Sequence, residues 1–241
     1  MKPEKIPYKS ILFSMFLNEN YRIFTNFVAM NSKINWSENV IIADANYIDK
    51  VAFNLIVNFE RMLGRRIPPA DMARWIDCVA LDGGVREKEN SKTEEKESSE
   101  PTQSTLVILI HSKEMTAMEN FQPANFKEEL DGKAFKDHLG EFSISALPIE
   151  DTVHGDEFLL DILGTVCAQP TVKRVMVIPN AEEGTLYNDI RETLRHVDDD
   201  NKRITVFTME PMAGGNYRQE ILGYSLMNAL GIRAAEIERR G

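Results

Sequence analysis

The stretch VIIADANYIDKVAFNLIVNFERMLG, residues 40–64, changes period partway along. Val40 to Ala43 is a continuous apolar run that ends at Asp44, too short for a helix and right for a strand buried on both faces. From Asn46 onward the apolar residues Val51, Leu55, Phe59, Met62 and Leu63 recur at helical spacing. Asn46 reads as the N-cap, Asp49 suits the positive end of the helix dipole, and Gly64 is a C-terminal stop. A buried strand feeding an amphipathic helix is the first half of a βαβ unit.

Outward from this unit the pattern repeats. Ile76–Leu81 reads as strand two, ending at Asp82-Gly83-Gly84, and Thr105–Ile110 as strand three. Residues 123–138 read as helical, with Pro123 near the start and Gly132 weakening it. Phe142–Leu147 is strand four, followed by a helix over 156–168. Arg174–Ile178 is strand five, followed by a helix capped by Thr185. Arg203–Phe207 is strand six. Asn216, with Gln219 three residues on, opens a last helix that Gly231 stops. Buried strands alternating with helices predict a single α/β domain: a Rossmann-like, three-layer α/β/α arrangement around a mostly parallel sheet of about six strands. No helix is visible between strands two and three, so they are expected to pair as an antiparallel hairpin.

Three segments depart from the alternation. Residues 8–33 are apolar almost all round and read as a partly helical segment that other protein must cover, either the domain core or a second copy of the chain in a homo-oligomer such as a dimer. Residues 86–103 hold no large apolar side chain, and Glu87–Glu100 carries six Glu against three Lys. This composition cannot offset the entropy of ordering, and it predicts a mobile surface insertion. Residues 232–241 are charged and are expected to fray.

Composition narrows the functional classes. Lys and Arg total 28 against 38 Asp and Glu, a formal charge of −10, which argues against non-specific nucleic-acid binding. No run approaches the length of a membrane span, and no cleavage site follows the short apolar run at Ile11–Leu17. The two cysteines, Cys78 and Cys167, lie in apolar runs far apart, as buried thiols of a reducing compartment would; the expected location is cytoplasmic.

In open α/β sheets ligands bind beyond the carboxyl ends of the strands. The residues after each predicted strand are therefore the candidates. Asp44, Asn46 and Asp82 are the catalytic candidates, and Asp44 is the metal candidate. Glu150, Asp151, Asn180, Gly214, Gly215 and Asn216 are the ligand-binding candidates, the last three as a loop whose free N–H groups could hold an anion ahead of a helix. His111 and Ser112, Glu182, Thr208 and Glu210 also follow strands. Carboxylates gathered from several strand tips suit Mg²⁺-assisted phosphoryl transfer. The alternative for each is ordinary capping and turn formation. The four histidines show no metal spacing, and nucleophile-elbow, dinucleotide and Walker-type motifs are absent.

Strand–Asp44-Ala45-Asn46–helix resembles the first motif of PIN and NYN nuclease domains, which implies a divalent metal at Asp44. The likeness covers residues 40–60, and Leu109-Ile110-His111-Ser112 lacks the acid a later motif would supply. The chain as a whole looks like the functionally uncharacterised bacterial α/β families. Two functions follow. One is a non-catalytic scaffold or binding module with no evident cofactor. The other is a Mg²⁺- or Mn²⁺-dependent phosphoesterase or nuclease-like hydrolase with an acidic site at the strand ends.

Overall fold

The computed structural model describes residues 36–87, 103–149, 154–182, 184–195, 197 and 202–238. By backbone contacts the chain divides into residues 1–36 and 37–241; the fold below is that of the second unit. The apolar segment 8–33 and most of the charged insertion lie outside the described residues.

The central sheet has seven strands. In chain order these are β1 (Asn39–Asp44), β3 (Ser104–Ser112), β5 (Ala134–Asp137), β6 (Gly140–Ile149), β7 (Arg174–Ile178), β8 (Arg203–Thr208) and β9 (Arg218–Ile221). The short β2 (Ala70–Asp71) and β4 (Phe121–Gln122) pair in a separate ribbon. The spatial order is β5-β6-β3-β1-β7-β8-β9. All neighbours are parallel except β5, which runs antiparallel to β6. Leaving β5 aside, the six parallel strands stand in the chain sequence 3-2-1-4-5-6, the doubly wound arrangement whose order reverses between β1 and β7.

The helices are α1 (Ala45–Leu63), α2 (Met72–Asp82), α3 (Gly155–Cys167), α4 (Leu186–Leu194), α5 (Leu222–Ala229) and α6 (Ala234–Glu238). Strand residues alternate between two buried faces. Ile41, Ala43, Val107, Leu109, Met176, Ile178 and Phe207 share a core cluster with α1, α2 and α5. Val40, Ile42, Ile108, Val175 and Val177 are equally buried and point to the opposite face, where α3 crosses β1, β3 and β7 beside α4.

Several expectations are corrected here. Ile76–Leu81 lies inside α2 and is not a strand. Asp71 caps that helix by accepting from the Arg74 N–H at 3.1 Å. Trp75, Ile76, Val79 and Ala80 are all buried, a helical stripe that mimics a strand when only its apolar core is read. With α2 as crossover, β3 joins the sheet parallel to β1, and no hairpin forms between them. Among the described strands of the central sheet, the antiparallel pair is β5–β6.

The region read as helix over 123–138 is a cis Gln122–Pro123 bond, a single π-helical turn at Phe126–Leu130 and strand β5. Buried Phe126 and Leu130 supplied the helical spacing, but Gly132 sits at φ +68° and turns the chain into the sheet edge. Asn216 opens no helix; strand β9 intervenes before α5. Within the charged tail, Ala234–Glu238 forms α6, held by the Glu236–Arg65 ion pair at 2.9 Å. Gly64 at φ 64° does end α1.

Candidate functional site

Asp44 is the last residue of β1 and, rather than Asn46, the N-cap of α1. Its Oδ1 accepts the Tyr47 N–H at 3.0 Å. Asp44 lies at the point where strand order reverses. Burial holds its carboxyl above the ordinary range; the N–H groups of Tyr47 and Asn46 pull the other way, and nearby Asp156, in the first turn of α3, adds to the rise.

Asn46 leaves the helix axis to clamp the end of β3. Its Nδ2 donates to Ser112 Oγ at 2.9 Å, and its Oδ1 accepts the Ser112 N–H at 2.9 Å. One turn on, buried Asp49 accepts the N–H groups of Glu119 at 3.2 Å and Asn120 at 2.8 Å. The first turn of α1 thus organises two loops at the carboxyl edge.

Tyr47 reaches across the switch point. Its hydroxyl donates to Glu182 Oε1, beyond the end of β7, at 2.9 Å. Burial and that carboxylate raise the phenol's pKa, so it stays a donor. A crevice of about 520 Å³ opens beside this pair, lined by Tyr47, Ala181, Glu182, Thr208, Met209, Glu210 and Met212. Thr208 turns its hydroxyl to the Glu210 carbonyl at 2.7 Å. Among the described residues the lining is acidic and apolar, with no Lys or Arg.

The remaining candidates are spread out. Asp82 ends α2. The next two residues, Gly83 and Gly84, pass Met176, Arg174 and Arg203, and those two arginines begin β7 and β8, so Asp82 lies toward the amino edge, away from Asp44. Asn180 follows β7, half-buried. Glu150 and Asp151 lie outside the described residues. Gly214 and Gly215 both have positive φ, but their loop leads into β9, so no helix N-terminus stands behind it. Gln219 instead pins that loop, accepting the Met212 N–H at 2.9 Å and donating to the Met212 carbonyl at 2.8 Å. Asn216 lines a polar recess of about 530 Å³ with Arg191 and Arg195.

A second cavity, of about 510 Å³, lies where β3 and β6 end, and His111 lines it. That ring stacks on Phe126 at 3.9 Å and 3°, its Nδ1 lies 2.9 Å from the Ser112 carbonyl, and burial holds its pKa below the usual value.

Among the described residues one trio of His, Cys, Asp or Glu side chains brings its ligand atoms within 4.8 Å of one another: Asp77, Asp137 and His138. Asp44 is not part of it. Of the residues that line the switch-point crevice, Glu182, Thr208 and Glu210 are visible in the sequence as residues that follow strands, whereas Tyr47, Ala181, Met209 and Met212 are not. The trio was not visible, because its members are 60 positions apart in a helix first read as a strand and a strand first read as a helix.

Fold and crevice together define an open α/β protein with a pocket at its topological switch point. Residues 33–237 match the family described as "Family of unknown function (DUF6621)", and the chain belongs to that family. No curated protein and no solved structure matches it.

Proposed function

We propose that this is a small-molecule-binding α/β protein whose ligand, a neutral or amine-bearing organic molecule, enters the crevice between β1, β7 and β8. One observation carries the reading. A cavity of about 520 Å³, within the usual size range of ligand sites, lies where strand order reverses and pairs a tyrosine donor with a carboxylate acceptor. Its lining offers carboxylates and methionines, a setting that favours positive or neutral ligands and repels bare phosphate.

A Mg²⁺- or Mn²⁺-dependent hydrolase is the second reading, supported by the closeness of Asp156 to Asp44. Two free, half-buried cysteines fit a cytoplasmic protein. No helix among the described residues is long and apolar enough to cross a membrane. The apolar composition of residues 8–33 supports a homo-oligomer.

Thermal melts with spermidine, adenosine and AMP, each with and without millimolar Mg²⁺ or Mn²⁺, separate the two readings. Spermidine or adenosine should raise Tm by several degrees, and Tyr47→Phe with Glu182→Gln should lose most of that shift. A shift seen only with AMP plus metal, and abolished by Asp44→Asn, would instead establish the hydrolase. No shift with any probe refutes ligand binding of this class.

A further inference from the structure

Asp77 projects from the middle of α2, and Asp137 and His138 form the turn between β5 and β6. This turn lies at the amino edge of the sheet, where β6 begins, so it is remote from the crevice at the strand ends. Three features of the cluster point to a cation.

The ligand atoms of the three side chains lie within 4.8 Å of one another. Carboxylate and imidazole ligands sit roughly 2.0–2.2 Å from a zinc-type ion, hence about 3–4 Å apart. Small side-chain rotations close that gap.

Asp77 Oδ1 and Asp137 Oδ2 are shut off from solvent and receive no hydrogen bond from any other described residue; without a metal, a proton held between the two carboxyl groups relieves their repulsion. Two adjacent carboxylate oxygens without donors repel each other, and both have given up water. A cation between them answers both deficits. The other oxygen of Asp137 is already engaged: Oδ1 accepts the Leu139 N–H at 2.7 Å. That bond orients the carboxylate as an outer-shell partner does in metal centres.

His138 is exposed. It therefore closes the cluster from the solvent side and leaves room for a water ligand.

We propose that Asp77, Asp137 and His138 bind one divalent transition-metal ion of the zinc or manganese class, clamping α2 to the β5–β6 turn. One imidazole with two carboxylates matches these ions better than Mg²⁺ or Ca²⁺, which prefer all-oxygen shells. The role is structural, because the ion joins a crossover helix to the one antiparallel strand at the sheet edge.

The test is metal content and stability on the full chain. Protein stripped with EDTA, dialysed against micromolar Zn²⁺ or Mn²⁺ and freed of excess should retain about one ion per chain by elemental analysis. Its Tm should rise by several degrees over the stripped form, and Mg²⁺ at the same concentration should not reproduce the rise. His138→Ala, an exposed change that leaves the core intact, should weaken binding at least tenfold; Asp137→Asn should abolish it. Asp44→Asn should retain the ion, which keeps this site separate from the hydrolase reading. Absence of a retained ion, or retention unchanged in both His138→Ala and Asp137→Asn, would overturn the proposal.

Discussion

Asp44 and Asp77 are both carboxylates held above their usual pKa by burial, yet their surroundings differ. Asp44 is offset by two backbone N–H donors at a helix start, so its charge is partly answered. Asp77 has burial and Asp137 acting in the same direction, and its carboxyl is pushed up to about 7. An unfolded Asp loses its proton near pH 4. Between those values the native chain binds one proton more than the unfolded chain, so stability falls as pH rises, and the loss is complete above about pH 7. Asp77→Asn is neutral throughout. In EDTA it should match the parent near pH 3.5 and exceed it at pH 8 by about 1–2 kcal/mol, because water reaching the half-buried carboxylate screens its charge. Urea titrations of both proteins at pH 3.5, 6 and 8 check this; a difference that does not grow with pH would contradict it.

At the level of elements, α1 does more than cover the sheet. Its first two turns hold β3 through Asn46 and the 119–120 loop through Asp49. That loop adjoins β4, whose pairing with β2 sets where α2 begins. Asp49→Ala leaves two backbone N–H groups without their acceptor in a largely buried place, a loss of about 2–3 kcal/mol. The expected signature is local. Amide exchange at Glu119 and Asn120 should accelerate more than exchange in β1, whereas a uniform acceleration would mean that Asp49 acts only through global stability. The same contact explains why α2 was illegible. Six residues that are apolar but for Asp77 fit a strand or a helix equally well, and the Asp71 cap and the β2–β4 ribbon settle it from outside the run.

For the whole molecule, the charged insertion leaves and re-enters the fold at one point: Gln103 Nε2 donates to the Arg86 carbonyl at 3.4 Å. Closing such a gap needs few residues, and loop-closure entropy changes slowly with length. Replacing residues 88–102 with four Gly/Ser residues should therefore leave Tm within about 2–3 °C of the parent. A larger fall in a thermal melt would show that these residues contribute packing.

The strands β1, β3, β7 and β8 were legible because a strand covered on both faces must be apolar at nearly every position, and β6 because apolar and polar residues alternate along it, local demands that need no partner to be named. The same holds for α1, α3 and α4, whose apolar stripes repeat long enough to exclude a strand. Gly64 and Gly231 were legible as stops because positive φ favours glycine. The placement of Asp44, Glu182, Thr208 and Glu210 beyond strand ends followed from those elements. Strand order did not, since it depends on which faces α1, α2 and α3 cover. Nor did the joining of Tyr47 to Glu182 across 135 positions, or the meeting of Asp77 with Asp137. Sequence alone determined the burial of the strands around Asp44 and the stops at Gly64 and Gly231; only the tertiary structure decided which buried surfaces meet, because apolar burial is non-directional and the contacts that select among partners are made by side chains far apart in the chain.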